Sequence, residues 1–206
     1  MGLLHDLDIV SGSDNKASSV FESLEPDFRK VSYKKPNEYI NYFWSKFQNI
    51  PDSNNNLNGK VFEYILSTLF IREKLLPFFI EAKVAFVPNV IYDMMFYTTE
   101  RGPICISAKT SLRERYKQAD LEAIALKYVH RKSLCYLITL NSIEADSVNE
   151  KIKKGDVIGL DKVILADSAD FNMLIKDIRS YNLIDSPNIQ VIQANHVITE
   201  EKINKV

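Results

Sequence analysis

The run Leu134-Cys135-Tyr136-Leu137-Ile138-Thr139-Leu140 constrains the fold more than any other segment. A strand with one wet face alternates apolar and polar residues. This run does not alternate, so both of its faces must be covered, as in a central strand of a sheet with helices above and below. Residues 162–166 form a second run of this kind. Helical periodicity spans about 113–130, 143–154 and 171–181. Upstream, residues 84–87 and 90–97 read as strands parted by Pro88-Asn89, and the turn Glu100-Arg101-Gly102-Pro103 joins the second of them to a strand over 103–109 as a hairpin. A helix capped by Asn58 is expected over about 60–76, stopped by Pro77, and a short final strand over 188–193. The order αββαβαβαβ, preceded by further helix, gives an α/β fold: a mixed β-sheet flanked by helices.

Residues 36–48 carry Tyr39, Ile40, Tyr42, Phe43, Trp44 and Phe47 near helical spacing, which predicts an N-terminal helix with an aromatic face. Residues 11–18 are polar and read as loosely ordered, and 51–59 read as a loop. The division expected is an N-terminal helical extension over 1–57 and a core over 58–206, together one compact domain. At 206 residues and 46% apolar the chain can bury a full core. Its net charge of −1 argues against sequence-independent coating of nucleic acid but leaves a local basic groove open. Cys105 and Cys135 lie in apolar runs and form no CxxC pair, so buried reduced thiols and a cytoplasmic location are expected. Nothing at the N-terminus resembles a signal peptide, and no apolar stretch approaches the ~20 residues that cross a bilayer, so no membrane partner is expected. His5, His130 and His196 are isolated and unlike a metal motif. Gly155-Asp156-Val157-Ile158-Gly159 lacks the ending of a phosphate loop. Lys151, Lys153 and Lys154 read as a solvated helix end.

Three positions carry the chemistry. Asp93 is the sole charge in the apolar strand Val90-Ile91-Tyr92-Asp93-Met94-Met95-Phe96-Tyr97. A carboxylate there is costly unless it is paired or binds metal. Lys109 ends the apolar run of 103–109, where it is either a solvent-facing strand end or a catalytic ammonium that stabilises charge on a phosphate. Glu122 borders the buried stripe of the following helix, on the same face as Arg115 and Gln118. Folding the hairpin against that helix brings Asp93, Lys109 and Glu122 together, and one Mg²⁺ would take Asp93, Glu122 and the Ala108 carbonyl. Glu63, flanked by apolar residues early in its helix, is either a fourth member or a first-turn glutamate favoured by the helix dipole.

The same segment resembles a known family. Ser107-Ala108-Lys109 stands where the PD-(D/E)XK nuclease superfamily has its acidic-x-Lys motif. The row Lys109-Thr110-Ser111-Leu112-Arg113-Glu114-Arg115-Tyr116-Lys117-Gln118, followed by Glu122, is similar to the EcoRII-like type II restriction endonucleases that cut CCGG or CCNGG-type sites. In that subgroup the acidic residue before the lysine is replaced, and a glutamate on the next helix supplies the missing ligand, where Glu122 stands. The resemblance implies a restriction-endonuclease-like core and Mg²⁺-dependent cleavage of double-stranded DNA. It further implies a homodimer on a palindromic site; the extension over 1–57 is expected to serve DNA or dimer contacts, and the sequence does not say which. Arg113, Glu114, Arg115 and Gln118 are the implied DNA contacts, Arg to guanine and carboxylate to the cytosine amino group. Pro51-Asp52 spells the family's first motif in a polar loop with no strand behind it and is set aside in favour of Asp93. Two other readings stay open: a repair or structure-directed nuclease of the same fold, and a DNA-binding module with a degraded site, for which Ser107 in the acidic position speaks.

Overall fold

The computed structural model describes residues 2–10, 15–51, 53–185 and 192–206. Five main strands run in the spatial order β5-β4-β3-β2-β1. β1 (Phe78–Val84), β2 (Tyr92–Thr98) and β3 (Gly102–Lys109) form an antiparallel meander. β4 (Leu134–Thr139) and β5 (Lys162–Leu165) continue from β3 in parallel. Two short strands, β6 (Ile192–Gln193) and β7 (His196–Ile198), lie along the outer edge of β1. The sheet is therefore mixed, and β4 sits between two parallel neighbours as its unbroken apolar run demands.

Helices cover both faces. On one lie α1 (Leu3–Asp6), α2 (Lys16–Leu24), α3 (Pro36–Phe47), α4 (Asn55–Arg72) and α7 (Ala169–Arg179), sharing a core with Met94, Phe96, Ile104, Ile106 and Ile138. On the other lie α5 (Arg115–Val129) and α6 (Ser142–Lys154), the crossovers of the parallel strands, which enclose Met95, Cys105, Cys135 and Leu137. Parallel neighbours need such crossovers, and helices are the compact way to make them. α8 (Glu200–Asn204) ends the chain. α4 is buried on nearly all sides, from Leu57 through Ile71, so it lacks the single apolar stripe of a surface helix. α6 stops at Gly155, whose φ of +80° is the left-handed cap conformation that glycine adopts without strain. The free edge of β5 is closed by one side chain: Asn149 donates to the Val163 carbonyl at 2.8 Å and accepts from its N–H at 2.9 Å. That amide takes the place of a further strand and blunts the edge.

The structure corrects several expectations. α4 is capped by Asn54, whose side chain accepts from the Leu57 N–H at 3.0 Å, not by Asn58. It ends at Arg72, short of the 76 expected from the apolar pattern. β1 takes Phe78, Phe79 and Ile80, and residues 85–91 form the connection to β2 rather than a strand over 84–87. Residues 16–18, expected to be loose, open α2, with Asn15 capping it through the Ala17 N–H at 2.9 Å. Of the strand expected over 188–193, residues 188–191 lie outside the described residues, and 192–193 form β6. Both cysteines are buried and free, directly opposite each other across β3 and β4. No helix among the described residues is long and apolar enough to cross a membrane.

Phe70 sits where α4 meets the sheet, with ring centroids 5.8 Å from Phe78 and 5.1 Å from Phe96. Phe70→Ala is expected to cost about 3–5 kcal/mol, the range for emptying a buried aromatic site. Urea unfolding measures it, and a loss below about 1 kcal/mol would contradict this packing.

Candidate active site

The site begins at a fault in the sheet. Along β1, Ile80 faces the α4 core and Ala82 the α5 core, although residues two apart in a regular strand share a face. Along β2, Tyr92 and Met94 differ in the same way. The two faults are opposite each other, at Glu81 and Asp93, between the paired positions Ile80↔Met94 and Ala82↔Tyr92. Glu81 has a φ of +51°, the left-handed region, at an expected strain of about 1–3 kcal/mol. The β2–β3 ladder also stops here, at Met94↔Ile106, so residues 107–109 of β3 have no partner on β2. Asp93 fills the gap. Its Oδ2 accepts from the Ala108 N–H at 2.7 Å and from Lys109 Nζ at 2.7 Å. A carboxylate thus replaces the missing ladder bond and pairs with the lysine, which resolves the cost of its place in an apolar strand. The pair is neither dry nor open: Lys109 and Asp93 are 30% and 20% exposed.

Two helices close on this pair from opposite faces. α4 brings Glu63, a partly buried glutamate. Burial raises its pKa, the Asp93 charge raises it further, and Lys60 acts against both. α5 brings Glu122, raised first by burial; Gln118, which donates to Oε1 at 2.7 Å, and Lys109 oppose this, while Asp93 adds to it. α5 is held to β2 by Tyr92, whose hydroxyl donates to the Glu122 carbonyl at 3.0 Å. Lys60 joins Glu63 at 2.9 Å and Glu81 at 3.0 Å. Burial pulls the Lys60 pKa down, and the two glutamates outweigh it and hold the ammonium above its ordinary value. Hydrogen bonding to Lys60 holds Glu81 below the usual carboxylate range. A cavity of about 90 Å³ lies among Asp93, Glu63, Lys60, Glu81 and His196. A larger hollow, of about 750 Å³, lies within the β1–β2 connection away from these groups.

The structure therefore brings Asp93, Lys109, Glu122 and Glu63 into one electrostatic cluster. Lys60 and Glu81 belong to it and went unremarked in the sequence. Glu81 carried a weaker form of the signal that marked Asp93, since its apolar strand also holds Lys83. Among the described residues no three His, Cys, Asp or Glu side chains stand in a ready-made metal-binding group. The donors still suit a hard divalent cation in kind. Asp93 Oδ1 and Glu122 Oε2 accept no hydrogen bond among the described residues, and both glutamates carry repulsion from Asp93 that a cation would relieve.

Arg113, Glu114, Arg115 and Gln118 stand together at the start of α5, all exposed. Glu114 is ion-paired with Lys117. Arg113 and Arg115 make no ion pair among the described residues, so two exposed guanidinium groups stand at the start of α5, the helix that carries Glu122. The aromatic residues of α3 are core: Trp44 packs on Phe47 and Phe62, with ring centroids at 5.2 and 5.9 Å. Of the histidines, His196 bonds Asp8 at 2.9 Å and ties the N-terminal segment to β7.

No protein-family model matches the chain, and no curated protein matches it in sequence. A solved structure does share its fold. The chain is similar to the restriction endonuclease PspGI, in a complex with substrate DNA, with a TM-score of 0.56 over 93% of this chain and 87% of that one, at 15% identity. The architecture is thus that of a restriction-endonuclease-like α/β fold, as the sequence led one to expect.

A carboxyl with a raised folded pKa contributes stability that is fully present below its unfolded value and lost as pH rises through the folded one. For Glu63 that loss begins near the ordinary 4.5 and runs upward. Glu63→Gln is therefore expected to melt higher than the parent at neutral pH and to converge with it below 4.5. Melting curves against pH check this, and a variant that melts lower at pH 7 would contradict the sign.

Proposed function

We propose that this chain is a Mg²⁺-dependent endonuclease that cuts double-stranded DNA at a short C:G-containing site of the CCGG or CCNGG type. The observation that carries the reading is the Asp93–Lys109 pair, set in the gap between diverging strands with Glu122 closing from α5. The fold shared with a restriction endonuclease and the Ser107-Ala108-Lys109 and Arg113-Glu114-Arg115 motifs support it.

In this reading Asp93, Glu122 and the Ala108 carbonyl hold Mg²⁺. When bound, the ion neutralises charge on the phosphate and lowers the pKa of a nearby water. Lys109 trades part of its bond to Asp93 for contacts to the attacking water and a phosphate oxygen, and stabilises the charge that develops there. Tyr92 keeps α5, and with it Glu122, at a fixed height above β2. Glu63 and Lys60 line the opposite side, where their ion pair limits the negative charge next to the DNA. Arg113 and Arg115 bind guanine edges and Glu114 a cytosine amino group, once Glu114 leaves Lys117. A palindromic site would be read by a two-fold homodimer.

Two substitutions separate chemistry from recognition. Lys109→Ala is expected to abolish cleavage and leave DNA binding by gel shift intact; retained cleavage would overturn the assignment. Arg115→Ala is expected to weaken specific binding by about 1–3 kcal/mol. An equal loss on cognate and random DNA would make Arg115 a phosphate contact instead.

A further inference from the structure

α6 opens with Asn141-Ser142-Ile143-Glu144, and the Asn141 side chain accepts from the Glu144 N–H at 3.1 Å. A glutamate at this position ordinarily returns its carboxylate to the cap residue's own N–H and completes a reciprocal pair. Here the Asn141 N–H is met by Thr139 Oγ1 at 3.3 Å, and Glu144 turns away from its helix. Its Oε2 accepts from the Leu112 N–H at 2.6 Å and its Oε1 from the Arg113 N–H at 3.1 Å. One carboxylate of α6 therefore grips two successive backbone amides just before α5.

The gripped backbone is one that would not hold itself. Arg113 has a φ of +44°, a left-handed conformation that long side chains avoid. Leu112 is fully buried in the α5–α6 core, and its carbonyl accepts from the Arg115 N–H at 2.7 Å. These bonds set the direction in which the Arg113 side chain leaves the chain. The guanidinium is exposed and has no ion pair among the described residues, so its backbone alone aims it.

We propose that Glu144 is a specificity-positioning residue, which fixes the Leu112–Arg113 backbone so that Arg113 meets one base in one pose. This rests on the reading of Arg113-Glu114-Arg115 as base contacts. Bidentate recognition of guanine requires both nitrogens of the guanidinium plane to arrive in register, which a loose loop does not ensure. Loss of Glu144 leaves Asp93, Lys109 and Glu122 untouched, so the chemistry should persist while fidelity falls.

The test is digestion of a fully sequenced, unmethylated DNA with Mg²⁺ by the full chain, Glu144→Ala and Glu144→Gln, with sequencing of the fragment ends. The expected result is a shared sequence at the parent's ends. In Glu144→Ala the fraction of cuts at sites one base removed should rise at least about fivefold, the lower end of what one bidentate base contact supplies. The near-isosteric Glu144→Gln keeps one acceptor and should fall between the two, with melting temperature close to the parent's; it keeps the test open should the alanine variant fail to fold. A merely structural role would lower the rate of cutting without moving the off-site fraction. An unchanged off-site fraction in the variants that fold, or loss of all cutting in both, overturns the proposal for Glu144 alone. Parent ends with no shared sequence overturn the base-reading assignment and this proposal with it.

Discussion

The bond pair at Asp93 is the constraint on which the rest of the site depends. β2 and β3 are hydrogen-bonded up to Met94 and Ile106 and then part. Beyond that point the Ala108 N–H would be an orphan donor in a buried strand, at an expected cost of about 1–3 kcal/mol. The Asp93 carboxylate satisfies it and in the same place draws in Lys109. The ladder is open where the strands part, and the group that repairs it is the one the proposed chemistry would use. Glu81, opposite Asp93 on β1, shows that the fault crosses a second strand, where a left-handed residue changes which face the chain presents.

Carboxyl groups outnumber ammonium groups around this point. Lys60 and Lys109 face a set of four carboxyl groups, Asp93, Glu63, Glu81 and Glu122. Two of them, Glu63 and Glu122, are held above their ordinary pKa by burial and by Asp93. An excess of buried acid destabilises a fold. In the proposed function a bound cation would offset that excess. The net charge of −1 conceals this arrangement because it sums acids and bases wherever they lie.

Much of this was legible in the sequence, and the reasons differ by element. β4 was legible because a strand covered on both faces cannot alternate, and α3 because its aromatic residues recur at helical spacing. α4 was misplaced at both ends. Asn54, Asn55, Asn56 and Asn58 are equivalent cap candidates by local chemistry, and the apolar residues from Leu75 to Ile80 do not reveal where helical period gives way to strand. α2 was missed because its buried residues, Ala17, Phe21 and Leu24, are few and diluted by serines. Asp93 and Lys109 stood out as lone charges in apolar runs. Lys60 did not, because a lysine near the start of a helix is unremarkable until its partners arrive from β1 and from the same helix. Glu144 could not be found at all, since its partners lie more than thirty positions away.

The proposed function assigns the Asp93–Lys109–Glu122 cluster to a nuclease that reads sequence and works with Mg²⁺. The most direct measurement is incubation of the purified chain with a large, fully sequenced, unmethylated DNA, with Mg²⁺ and with chelator. The expected result is a set of discrete fragments that appear only with Mg²⁺. A smear would contradict sequence reading and favour a structure-directed or nonspecific nuclease. DNA left intact with Mg²⁺, while still bound in a gel shift, would contradict the catalytic assignment and leave a DNA-binding module.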